Sequence, residues 1–172
     1  MRGSAVSDKE KDEILAEKAK EAFTRCGNCA QASFAVLQDA FTLEGNSILK
    51  ALTPFPGLAL RGETCGAVTG ALMAIGLVFG REDLDDRKGA ISSFSAARKF
   101  CKTFEEKHGS TSCADIVHGK LGRKFNLSDR AEALEYVSLG GPQACSEVVV
   151  SAVLIATEIL RRKIVLPYYS SE

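Results

Sequence analysis

Apolar residues recur at helical spacing through most of the chain. Leu15, Ala19, Ala22 and Phe23 fall at i, i+4, i+7 and i+8 behind a Ser7–Glu10 capping box, which predicts a first helix. Cys26-Gly27-Asn28 reads as a turn, and Ala30, Phe34, Leu37 and Phe41 then share one face of a second helix. A short helix is expected near residues 45–52, and the prolines of TPFPG make the next segment a loop. Residues 65–79 are apolar on every side, so this helix should run through the middle of the fold. Gly66 and Gly70 within it are four apart and would let another helix approach closely.

The periodicity continues with a helix from about Asp85 to Lys107, whose inner face should hold Ile91, Phe94, Ala97, Cys101 and Phe104. Gly109 stops it. Ser112 is placed to cap Cys113 to about Leu121, and Ser128 a helix carrying Ala131, Leu134 and Val137. Pro142, at a first-turn position, opens the last long helix, which ends in Arg161, Arg162 and Lys163. Only the tail IVLPYYSSE looks strand-like, and its apolar character suggests docking on the body or on a second subunit. The expectation is an all-α, single-domain bundle of five to seven helices over residues 7–163. Residues 1–6 form a disordered or expression-derived N-terminus, and residues 164–172 an apolar C-terminal tail.

Composition sharpens this picture. The chain has 172 residues, enough to bury about 70% of its unfolded surface around one core. Lys plus Arg equals Asp plus Glu at 22 each, so the basic excess of a nucleic-acid binder is missing. No signal-peptide pattern opens the sequence. Residues 65–79 are too short to span a bilayer, and residues 144–160 carry Glu147 and Glu158, so membrane insertion is not expected. A cytoplasmic location follows as an expectation.

The six cysteines change the functional reading. In a reducing compartment a cysteine excess points to metal binding or redox chemistry rather than a disulfide scaffold. Asn28-Cys29, Thr64-Cys65 and Ser112-Cys113 each put a cysteine directly after a good N-cap residue, and Cys145 follows Pro142 by three. Four cysteines are therefore expected in the first turns of four helices. A helix start stabilises an anion by about 0.3–1 kcal/mol at exposed sites, which favours thiolates. Asp115 and Glu147, each two residues after a cysteine, compete for the same dipole. Cys101 reads as a small buried hydrophobe in mid-helix. Cys26 forms CGNC with Cys29, but the βαβ setting of a thioredoxin-like pair is missing.

NCAQ at 28–31, GETCGAVTGALMAIGL at 62–77, GSTSC at 109–113 and the late Cys145 resemble the redox-active protein family defined by four cysteines and a CGAxxG motif. The resemblance runs from about residue 20 to 160. It implies Cys29, Cys65, Cys113 and Cys145 as the functional set, with Cys26 and Cys101 as additions of this chain that leave a part for Cys26 open. It also implies association with a transporter, and related domains suggest an iron–sulfur site.

Two chemistries and one bland reading remain. The first is a metal or iron–sulfur cluster on those four thiols, for electron transfer or sensing, with zinc as the alternative. Their separations of 36, 48 and 32 residues are unlike paired zinc-finger knuckles, so spacing selects no metal. For this chemistry and for the next, at least three of the four sulfurs should lie within about 4–7 Å of one another, and sulfurs scattered across the core would remove both. The second is metal-free thiol–disulfide chemistry, which needs two cysteines close enough to bridge, either Cys26 with Cys29 or Cys29 with Cys65. Under the third, the cysteines only pack and the domain is a partner-binding accessory. An unidentified redox partner and a homodimer are compatible with all of this. His108 reads as a dipole contact, His118 as a weak fourth-ligand candidate, and Arg61 with Glu63 as a solvated pair. No phosphate loop, dinucleotide fingerprint or serine-type triad occurs.

Overall fold

Local signals position most helix starts. In the computed structural model, which describes residues 7–164, Ser7 accepts from the Glu10 amide while the Glu10 carboxylate accepts from the Ser7 amide, opening α1 (Asp8–Cys26). Gly27 ends it in the left-handed conformation at φ 60°, and the chain turns at once into α2 (Cys29–Phe41). Two short pieces follow, α3 (Asn46–Ala51) and α4 (Gly57–Leu60), before α5 (Gly66–Phe79). The second half holds α6 (Arg87–His108), α7 (Cys113–Leu121), α8 (Arg130–Ser138) and α9 (Gly141–Leu160). The fold is all-α, with no strand among the described residues and one isolated antiparallel bridge, Thr64 to Ser112. Among the described residues, nine helical segments exceed the expected five to seven because short pieces such as α4 lack an apolar period of their own. The expectations for residues 1–6 and for the tail beyond Ile164 lie outside the described residues.

Helices α2, α5 and α9 pack mutually at the centre, with α1 laid over α2 and α9 and α6 over α5 and α9. The closest of these packings is α2 on α5, and the glycines explain it. A Cβ on Gly70 would lie 2.2 Å from the Ala30 carbonyl oxygen, and one on Gly66 would lie 2.4 Å from the Cys29 sulfur. Helix α9 has the length and apolarity to cross a bilayer by composition alone. Here Val149, Ala152, Val153, Ala156 and Leu160 are buried in the core it shares with α1, α2, α5 and α6.

Three local expectations are corrected. The buried face of α6 is Ala96, Phe100 and Phe104, not the stripe containing Ile91 and Phe94, which are 64% and 63% exposed. The 96–100–104 spacing lets Phe100 and Phe104 stack at 5.8 Å, and the same inward face continues through half-buried Ala90 and Ser93, which turns Ile91 and Phe94 outward. Asp129, not Ser128, caps α8, accepting from the amides of Ala131 and Glu132. Gly140 is the N-cap of α9, so Pro142 is its second residue and Cys145 lies in the second turn.

One segment departs from ordinary backbone. Gly57, Leu58, Ala59 and Leu60 have φ of 52°, 47°, 60° and 63°, a left-handed turn. For the three non-glycine residues this costs about 1–2 kcal/mol each. Hydrogen bonds from the Leu60 amide to Pro56 O (2.8 Å) and from the Arg61 amide to Gly57 O (3.1 Å) hold it.

Candidate functional site

Each of the four family-type cysteines is positioned by a separate local device. Asn28 caps α2, its side-chain oxygen accepting from Ala30 and Gln31 and its amide donating to Thr53 O, which sets Cys29 as the first helical residue. Cys65 itself occupies the N-cap position of α5, because Thr64 is taken up in the bridge to Ser112. Backbone pairing continues on both sides of that bridge. The Cys65 amide donates to Thr111 O (2.8 Å), the Cys113 amide to Glu63 O (2.6 Å) and the Ala114 amide to Gly62 O (2.9 Å). This lashes the start of α7 to the start of α5 and brings Cys113 beside Cys65. Cys145 is held from α8, where the Tyr136 hydroxyl donates to its sulfur at 3.0 Å.

The Cys29 sulfur lies against Gly66, next to Cys65, at the crossing this glycine keeps open. Interaction with the Cys29 thiol favours the Cys65 anion and lowers its pKa below the ordinary thiol value; burial opposes this, and the amides of Ala67 and Val68 at the helix start assist. Cys29 is pushed well up, first by its interaction with Cys65, then by burial and the charges of the neighbouring cysteines. Burial raises Cys113 to about 12, and raises Cys145 despite its bond from Tyr136. Of the four cysteines expected to favour the thiolate, only Cys65 is shifted in that direction. A helix dipole contributes about 0.3–1 kcal/mol, less than the desolvation of a buried charge, so burial wins at Cys113 and Cys145, while at Cys29 the Cys65 thiol is the larger influence and burial adds to it.

Cys29, Cys113 and Cys145 line one cleft of about 740 Å³, while Cys65, 6% exposed, lies behind Cys29 and does not reach it. The remaining wall is largely apolar, with Phe23, Leu60, Val117, Phe125 and Val137. Among the described residues no group of three or more His, Cys, Asp or Glu side chains is arranged to hold a metal ion. The four thiols are a fitting donor set for zinc or a cluster, but their placement is not a coordination shell.

The other candidates stand apart. Cys26 is exposed at the end of α1, its thiol donating to Asn28 O at 3.5 Å, and it does not line the cleft. Cys101 is half-buried on α6. His108 packs at a tilt against Phe104 with ring centroids 4.5 Å apart, and His118, in the last turn of α7, lines no part of the cleft. Arg61 and Glu63 form an exposed pair at 4.0 Å.

Tyr136 is the residue the sequence did not single out. A Cβ on Gly141 would lie 2.2 Å from its ring, so glycine at the start of α9 is what lets the ring lie against that helix and reach Cys145. The adjacent Gly140-Gly141 was the available signal.

Residues 27–159 match the sequence model of the family described as "Putative redox-active protein (C_GCAxxG_C_C)". The chain belongs to this family. The motif in that description reads Gly-Cys-Ala, whereas this chain has Cys65-Gly66-Ala67 followed by Gly70. No curated protein and no solved structure matches the chain. Family membership carries the redox character of the protein.

Proposed function

We propose that this family member is a dithiol–disulfide redox protein whose working pair is Cys29 and Cys65. The observation that carries this reading is the approach of Cys29 to the start of α5: a Cβ on Gly66, the residue after Cys65, would lie 2.4 Å from the Cys29 sulfur. Cys29 lines the cleft and meets the substrate, and Cys65, behind it, is the group most readily ionised. As Cys29 attacks a disulfide R–S–S–R′, its proton passes to the Cys65 sulfur, the R–S–S–R′ bond breaks, and R′S⁻ leaves. The Cys65 thiol then gives up that proton to the departing thiolate and attacks the Cys29 sulfur of the mixed disulfide, releasing RS⁻, which takes a proton from water. The protein loses two electrons and forms Cys29–Cys65; the substrate disulfide becomes two thiols.

A metal or iron–sulfur centre on Cys29, Cys65, Cys113 and Cys145 is the second reading. It is favoured by the mutual electrostatic influence of these thiols, each of the other three being affected by Cys65. It requires the sulfurs to draw together around the metal, since their present placement is not a coordination shell. One experiment separates the two. Protein purified without oxygen is assayed for iron, zinc and acid-labile sulfide, then equilibrated in thiol–disulfide buffers and mapped by mass spectrometry. Metal-free protein that forms Cys29–Cys65 is the expected result. Stoichiometric metal, with no such bridge after its removal, refutes the proposal in favour of the second reading.

A further inference from the structure

The cleft beside Cys29 suits a particular class of molecule. Its volume of about 740 Å³ falls within the roughly 300–1,000 Å³ of small-molecule sites. Its two charged lining residues already have partners: Lys20 pairs with Glu17 at 3.3 Å, and Glu147 with Lys120 at 2.9 Å. Part of its wall is the left-handed turn that ends at Leu60, and this turn leaves Leu60 43% exposed. Strained backbone of this kind concentrates at ligand clamps. Opposite charge for an ionic ligand is thus already engaged within the protein, while apolar surface and three thiols stand open. We propose that the cleft binds an uncharged, apolar small molecule carrying a thiol or disulfide and presents its sulfur to Cys29. This rests on the reading of Cys29 as the substrate-facing redox residue.

The described chain ends elsewhere. Lys163 bonds to the Val78 carbonyl at the far end of α5, about 20 Å along that helix from the residues that adjoin the cleft.

Occupancy is read by fluorescence titration of the reduced, full-length protein with N-phenyl-1-naphthylamine, an uncharged apolar fluorophore. One probe per chain is expected, with affinity about tenfold weaker in Val137→Asp and in Leu60→Gly. In Leu60→Gly the relieved left-handed residue offsets lost packing, so its Tm should stay within about 4 °C of the parent while binding falls. A second arm compares oxidation by 4,4′-dithiodipyridine and by oxidised glutathione, each rate divided by that of a free thiol with the same reagent. The uncharged reagent is expected to be preferred, and Val137→Asp to lose that preference. No probe binding, or binding unchanged in both variants, overturns the cleft. Equal normalised rates with probe binding intact overturn the thiol or disulfide class. Failure of both oxidants to form Cys29–Cys65 while the probe still binds refutes the redox reading on which the substrate class rests. Removing residues 165–172 should leave affinity unchanged; a gain overturns the proposal by making the tail the occupant.

Discussion

Replacing Gly70 by alanine puts a methyl group 2.2 Å from the Ala30 carbonyl oxygen, where both partners are rigid backbone. An ordinary carbon–oxygen contact needs about 3.3 Å, so α5 must move off α2 by about 1 Å. Overpacking of this kind costs about 1–3 kcal/mol, and a backbone collision belongs at the upper end. Alanine returns about 1 kcal/mol of helix propensity, leaving a net loss of about 2 kcal/mol. Gly76 lies in the same helix with nothing within 4 Å of a built Cβ, so Gly76→Ala should gain about 0.5–1 kcal/mol. The two substitutions are chemically identical, yet their stabilities should differ by about 3 kcal/mol, or roughly 6–12 °C in Tm. Urea unfolding of the reduced proteins, with equal m-values, measures this directly. The displacement also lengthens the Cys29–Cys65 contact, so the Cys65 thiol should titrate higher in Gly70→Ala and be unmoved in Gly76→Ala. Equal stability changes in the two variants would refute the account of the crossing.

Further expectations concern the site itself. Cys29→Ala removes the largest influence lowering Cys65, so the thiolate absorbance near 240 nm should show one midpoint moved upward; an unmoved midpoint removes the pairing. Cys113 is raised in the fold from 9.0 to about 12, so its neutral form is favoured there, and its contribution is complete below pH 9. Stability should fall by about 1.4 kcal/mol per pH unit as pH rises from 9 towards 12, and Cys113→Ala should flatten that slope in urea titrations. Tyr136→Phe deletes the bond to the Cys145 sulfur at a cost of about 1 kcal/mol and should raise the pH at which Cys145 reacts with a maleimide. Asn28→Ala loses the side-chain oxygen that accepts both cap bonds and the bond to Thr53, and should lower the urea midpoint by the equivalent of about 1–2 kcal/mol.

Local chemistry alone determined the helical class, the Ser7, Asn28 and Ser112 caps, the four cysteines near helix starts, and the Gly66–Gly70 face of the central helix. These depend on period, caps and missing side chains within a few residues, which a sequence displays directly. Tertiary structure decided what the cysteines are. Burial depends on which helices cover a sulfur, and it reversed the expected ionisation at Cys113 and Cys145; at the α2–α5 crossing the neighbouring thiols raised Cys29 and lowered Cys65. The lashing of residues 62–65 to 111–114, the reach of Tyr136 to Cys145 and the left-handed turn at Gly57–Leu60 join or distort segments with no periodic signature. Ile91 and Phe94 are apolar but lie on the outward face of α6, because burial follows the register Ala90, Ser93, Ala96, Phe100 and Phe104. Propensity and pattern are local quantities, whereas an active thiol is created by what the rest of the chain places around it.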